Sequence, residues 1–134
     1  MEKYEHALQN AKGWFEEIRD AYREYEREAN EMDKDQVRER MTEDALSVLV
    51  REAWHEPGKA EKPAEYEILL TTGGPGLRVW GELSECGEPI SADLEMQDWG
   101  VPWRKAWPWE TADETEAKAA VQWFASLFWF GGEG

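Results

Sequence analysis

Three runs of alternating apolar and polar residues occupy the middle of this 134-residue chain, and they constrain its fold more than any other feature. In the first, Tyr66, Ile68 and Leu70 alternate with Glu67, Leu69 and Thr71. In the second, Leu77, Val79, Gly81 and Leu83 alternate with Arg78, Trp80 and Glu82. In the third, Ile90, Ala92, Leu94 and Met96 alternate with Ser91, Asp93, Glu95 and Gln97. Successive residues of a strand point to opposite faces, so a period of two predicts half-buried strands and not helices. The breaks between the runs are Gly73-Gly74-Pro75-Gly76 and Cys86-Gly87-Glu88-Pro89, residue types that fix φ or tolerate its positive range, as tight reversals require. The prediction is an antiparallel meander with one dry and one wet face.

The wet face has an unusual composition. With the strands roughly in line it displays Glu67, Glu82, Asp93, Glu95 and Gln97 around Trp80, and Arg78 is its one cation. Two readings stand: an ordinary solvated sheet face, or a binding surface built on an exposed tryptophan among carboxylates.

Helices are expected on either side. Tyr4, Leu8, Ala11, Phe15, Ile18, Tyr22, Tyr25, Ala29 and Met32 recur at alternating spacings of four and three, the stripe of an amphipathic helix, widened by Ala7, Trp14 and Ala21. So much alanine and tyrosine is poor coiled-coil core, which favours docking on the domain's own sheet over a helix-mediated homodimer. Asp33 to Asp44 reads as a second, polar helix with Asp33 and Gln36 in capping-box spacing, and Ser47 to Trp54 as an edge strand. Residues 55–64 form a loop, and Gly100 to Glu110, with Pro102 and Pro108, an irregular aromatic lid. Thr111 and Glu114 form a capping box opening a last helix, with Ala117, Ala120, Val121, Phe124, Leu127 and Phe128 at helical period and Gly131-Gly132 as its stop. The fold expected is a single α+β domain over 1–134. Residues 1–45 would be helical, 46–109 a three- to four-stranded antiparallel sheet with a Trp-rich loop, and 111–130 a helix. The long N-terminal helix and the C-terminal helix would pack on one face of the sheet.

Charge narrows the function. Thirty Asp and Glu face fifteen Lys and Arg, a formal −15 spread along the whole chain. Such a field repels nucleic acid and anionic membrane and attracts basic protein surfaces, so direct nucleic-acid binding is not expected. One cysteine, Cys86, cannot form an internal disulfide and has no basic neighbour to activate it, which favours a reducing compartment. No signal peptide or membrane span is legible, and the expected address is cytoplasmic.

No catalytic constellation emerges, and the chain is not expected to be an enzyme or to hold a cofactor. His6 and His55 lie in no zinc-type spacing, and no metal is expected. The glycine-rich 73–76 stretch precedes a strand, not the helix N-terminus that a phosphate cradle needs. One ligand-binding alternative persists: Trp99, Trp103 and Trp107, beside Gln97 and Asp98, would stack a sugar ring or a cationic ligand.

Several stretches carry a resemblance. Asp44-Ala45-Leu46-Ser47-Val48, Ile68-Leu69-Leu70-Thr71-Thr72-Gly73-Gly74-Pro75, Arg78-Val79-Trp80-Gly81-Glu82-Leu83 and Gln97-Asp98-Trp99-Gly100-Val101-Pro102-Trp103 resemble a family of small acidic proteins of prophages and integrative elements. The Gln-Asp-Trp-x-x-Pro-Trp piece is its most specific part, and Trp107-Pro108-Trp109 departs from the family pattern. The resemblance implies a bacterial host cytoplasm and an anti-defence role: a non-enzymatic nucleic-acid mimic that inhibits a CRISPR effector (an anti-CRISPR) or a restriction nuclease through its basic groove. The contact residues expected are Glu67, Trp80, Glu82, Asp93 and Glu95 on the sheet, with Glu16, Glu17, Asp20 and Glu24 on the first helix as the second candidate. The alternatives are the Trp-loop ligand module and a helix-mediated assembly or regulatory protein of a mobile element.

Overall fold

The computed structural model describes residues 5–59, 62–72, 75–98, 102–106 and 113–131. Its elements are α1 (Glu5–Arg27), α2 (Glu31–Glu43), β1 (Ser47–Glu52), β2 (Pro63–Thr71), β3 (Gly76–Glu82), β4 (Asp93–Gln97), β5 (Arg104–Lys105) and α3 (Glu114–Ser126). The strands form one sheet in the order β1-β2-β3-β4-β5, every neighbouring pair antiparallel, so the chain meanders across it. This is the α+β architecture the alternation predicts. The sheet gains a fifth strand, Arg104–Lys105, from the stretch read as an irregular lid. Two residues are too few for a period of two to show.

Alternation decides the layers. Tyr66, Ile68 and Leu70 of β2, Leu77 and Val79 of β3, and Leu94 and Met96 of β4 are buried together. Onto this inner face α1 sets Ala7, Ala11, Phe15, Ile18 and Ala21, and α3 packs beside α1 with Ala120, Val121 and Phe124 buried. The alanines matter because a small side chain lets a helix axis approach the sheet while the phenylalanines fill the space between. All these residues belong to one core cluster. The apolar stripe of α1 is therefore occupied within the chain, and a helix-mediated homodimer would have to use another surface.

Local chemistry moves some boundaries. The α1 stripe ends before Ala29 and Met32, because Asn30 accepts a hydrogen bond from the Met32 N–H and starts α2. Asn30, not Asp33, is that cap, and Met32 is exposed. At α3 the cap is Asp113, which accepts from the Thr115 and Glu116 N–H groups; Thr111 lies outside the described residues. The turn at 86–89 is present, with the Gly87 N–H donating to the Ser84 carbonyl at 2.9 Å and Gly87 at φ +83°. The other turn includes Gly73 and Gly74, outside the described residues. The third run pairs only from Asp93, and Ile90 is exposed.

That late start has a cause at Gly81. Tyr66 and Gly81 are direct cross-strand partners, and the Tyr66 hydroxyl donates to the Ser91 carbonyl at 2.6 Å. A Cβ at Gly81 would stand 2.1 Å from that carbonyl oxygen and 2.9 Å from the hydroxyl. The missing side chain is the slot through which residue 91 crosses the strand. Burial and, after it, the Asp93 charge push the Tyr66 phenol well above its ordinary range, which keeps it a donor. Gly81→Ala should thus cost about 3 kcal/mol or more, in the range of severe overpacking, whereas Gly13→Ala on exposed α1 should stabilise by about 0.5–1 kcal/mol. Urea midpoints of the two variants check this.

The two helices that pack side by side, α1 and α3, are also tied at the surface. Arg23 of α1 donates to Glu116 of α3 through Nε at 2.9 Å and Nη2 at 2.5 Å. This hydrogen bonding holds the Glu116 carboxyl below its usual value of 4.5 and raises Arg23. A depressed carboxylate contributes stability above its unfolded pKa and loses it as pH falls through the folded one. Glu116→Gln should therefore flatten part of the acid limb when urea midpoints are followed from about pH 5 to pH 2.

Candidate protein-binding faces

Four cross-strand rows build the outer face of the sheet, the last of them the pair Gly76 and Gln97. Arg51, Glu65 and Glu82 form one; Leu49, Glu67, Trp80 and Asp93 the next; Ser47, Leu69, Arg78, Glu95 and Lys105 the third. The residues expected to share this face, Glu67, Trp80, Glu82, Asp93, Glu95 and Gln97, do share it. Arg78 is not its one cation, since β1 brings Arg51 and β5 brings Lys105.

Arg78 organises the centre. Its Nη1 donates to Glu67 at 2.6 Å and its Nε to Glu95 at 2.8 Å, while Nη2 lies 2.6 Å from the same Glu95 oxygen. Its guanidinium also lies 4.4 Å from the centre of the Trp103 ring. The three charged side chains are only 16–24 % exposed. A planar fork held edge-on by two carboxylates and face-on by an indole uses each of the ways in which arginine binds. Around this centre Arg51 pairs with Glu65, and Lys105 lies 3.9 Å from Asp93. Among the described residues no cation pairs with Glu82. The face is thus a mosaic of matched charges, far less negative than its carboxylates alone imply. Between β1 and β3 it dips into a depression of about 330 Å³ lined by Leu49, Arg51, Glu65, Glu67, Arg78 and Trp80.

The second candidate surface is different. Glu16, Glu17, Asp20 and Glu24 fall within about 100° of arc on α1, turned away from the buried positions Phe15, Ile18 and Ala21. Asp20 lies 3.4 Å from Arg19 and Glu24 3.2 Å from Arg40 of α2, but no cation among the described residues pairs with Glu16 or Glu17. On α2, which packs against α1, Asp33 and Glu39 are also exposed. Because α1 covers the inner face, these carboxylates and the outer-face rows lie on opposite sides of the sheet.

Of the tryptophans of the ligand alternative, only Trp103 is among the described residues. Trp103 spends a ring face on Arg78 and lies against Gly76, where a Cβ would meet it at 3.2 Å. Gln97 sits opposite Gly76 on the same face and Asp98 follows it, half-buried; Trp99 and Trp107 lie outside the described residues. Cys86 is exposed with a free thiol. Among the described residues no group of three or more His, Cys, Asp or Glu is placed to hold a metal ion, and no helix is long and apolar enough to cross a membrane. Sequence reasoning missed Arg51 and Lys105, whose partners are fixed only by strand pairing.

Compared with known proteins, the chain has no significant match to a family model, a curated protein or a solved structure.

Removing the Arg78 guanidinium leaves two carboxylates facing each other and an uncovered indole. Arg78→Met should cost about 1–3 kcal/mol, the scale of hydrogen bonds to charged groups, and restoring one neutral partner with Glu67→Gln should return part of it. A double-mutant cycle on urea midpoints measures both.

Proposed function

We propose that the protein is a non-enzymatic binding module that docks its acidic helical surface on a basic protein groove. The observation that carries this reading is the helical surface of Glu16, Glu17, Asp20 and Glu24, two of them without a cation among the described residues, in a chain of net charge −15. On the outer sheet face Arg78, Arg51 and Lys105 neutralise carboxylates locally, and few remain for a partner. Unmatched charge in high-dielectric surroundings contributes chiefly through fast, steered and salt-sensitive association. A basic groove of this kind is one that otherwise holds nucleic acid, and the resemblance to acidic proteins of mobile elements points to a bacterial defence nuclease such as a CRISPR effector.

The test is capture by the tagged protein from a lysate that contains CRISPR and restriction complexes, washed at low and high salt. The reading expects a nuclease complex that dissociates as salt rises. Reversing Glu16, Glu17, Asp20 and Glu24 to lysine should weaken capture on the order of tenfold or more, and reversing Glu82, Asp93 and Glu95 much less. A folded helix-reversal variant that captures as well as the parent protein rules out the helical surface. Absence of any nuclease rules out the target class.

A further inference from the structure

The two edges of the sheet are unlike. β5 is two residues long and basic, the kind of short, charged strand that blocks further pairing. β1 is six residues long and carries Val48, Leu49 and Val50 at 37, 58 and 45 % exposure, with exposed Leu46 before it and fully exposed Trp54 after it. Helix α1 packs on β3 and β4, and the helical layer stops short of this edge. Alternate N–H and C=O groups of an edge strand point outward, so β1 offers both backbone pairing and apolar side chains on its two faces.

We infer that β1 is a dimerisation strand that pairs antiparallel with β1 of a second copy about a two-fold axis at Leu49. The register follows from the pleat. Directly opposed residues of an antiparallel pair share a face, and the two-fold keeps faces matched, so the axis must pass through a residue and not between two. With the axis at Leu49, Leu49 meets Leu49, Val48 meets Val50, Ser47 meets Arg51 and Leu46 meets Glu52. Three apolar pairs form and no like charges oppose. Moving the axis to Val48 sets Asp44 against Glu52, and moving it to Val50 sets Leu49 against Arg51 and Val48 against Glu52. Arg51 is already paired with Glu65 in its own chain, so it brings no unmatched charge to the seam. The product is a ten-stranded sheet with the four valines clustered on the helix side, where the helical layer leaves them bare. This inference does not depend on the nuclease reading, which uses the other side of the molecule.

Sedimentation of the full chain across concentration and salt tests it. Two copies of net charge −15 repel, so screening should tighten the dimer as salt rises, the opposite of the salt response expected for a basic partner. Leu49→Lys places two ammonium groups face to face on an exposed edge. It should yield a monomer whose urea midpoint matches that of the parent protein at concentrations where the parent is monomeric. In a Cys86→Ser background, Leu49→Cys should crosslink under mild oxidation, because opposed Cα atoms at about 4.5–5.5 Å lie within disulfide reach. Val50→Cys should not crosslink in that background. A monomer at every concentration and salt, a dimer indifferent to Leu49→Lys, or crosslinking through Val50 and not Leu49 would overturn the inference.

Discussion

Everything in this structure depends on the seam between α1 and the inner face of the sheet. Phe15 and Ile18 have essentially no exposure, and neither do Ile68, Val79 and Leu94 in the sheet. A five-stranded sheet with one apolar face cannot remain in water uncovered, and an isolated helix rich in charge gains little from its own hydrogen bonds. Each element supplies the surface that the other lacks. Helix α3 completes the layer, its Phe124 buried and Trp123 packed at a tilt against Tyr22 and Tyr25 of α1, ring centres 5.7 and 5.2 Å apart.

With the inner face committed to the core, the outer face is left to electrostatics. A cluster of acidic residues on a sheet is costly unless cations interleave with it. Here Arg78 takes two carboxylates, Arg51 a third, and Lys105 approaches Asp93. These contacts order the face and at the same time cancel much of its field. On the helical side Arg19 and Arg40 take Asp20 and Glu24, while among the described residues no cation pairs with Glu16 or Glu17, and the charge of these two remains available at distance.

The sheet edges express a third constraint. Strand pairing ends where the backbone no longer finds a partner, and a chain must either blunt that end or use it. At β5 the end is blunt, while at β1 a run of branched aliphatics is left beyond the reach of the helices. The same shortness of the helical layer that lets α1 sit centrally over β3 and β4 is what exposes Val48 and Val50.

Much of this was written in the sequence, because burial on one face of a strand or helix imposes a period on residue type. The alternation of 66–71 and 77–83, an edge strand read over 47–54 and present as Ser47–Glu52, the apolar stripe from Leu8 to Tyr25 and the last helix are all legible in residue pattern, and each is present. So is the shared outer face of Glu67, Trp80, Glu82, Asp93 and Glu95, since parity along a strand fixes the side. Period does not encode which residue lies across from which. That Arg78 takes Glu67 and Glu95, that Trp103 folds back over the guanidinium, and that β5 exists at all were decided by register between distant strands. Helix starts likewise turned on single side chains, Asn30 and Asp113, that competed with equally plausible neighbours. The sequence determined which faces are wet. Only the tertiary structure decided how much of the charge on them is already spent, because charge cancellation depends on distances across the sheet and not on positions along the chain.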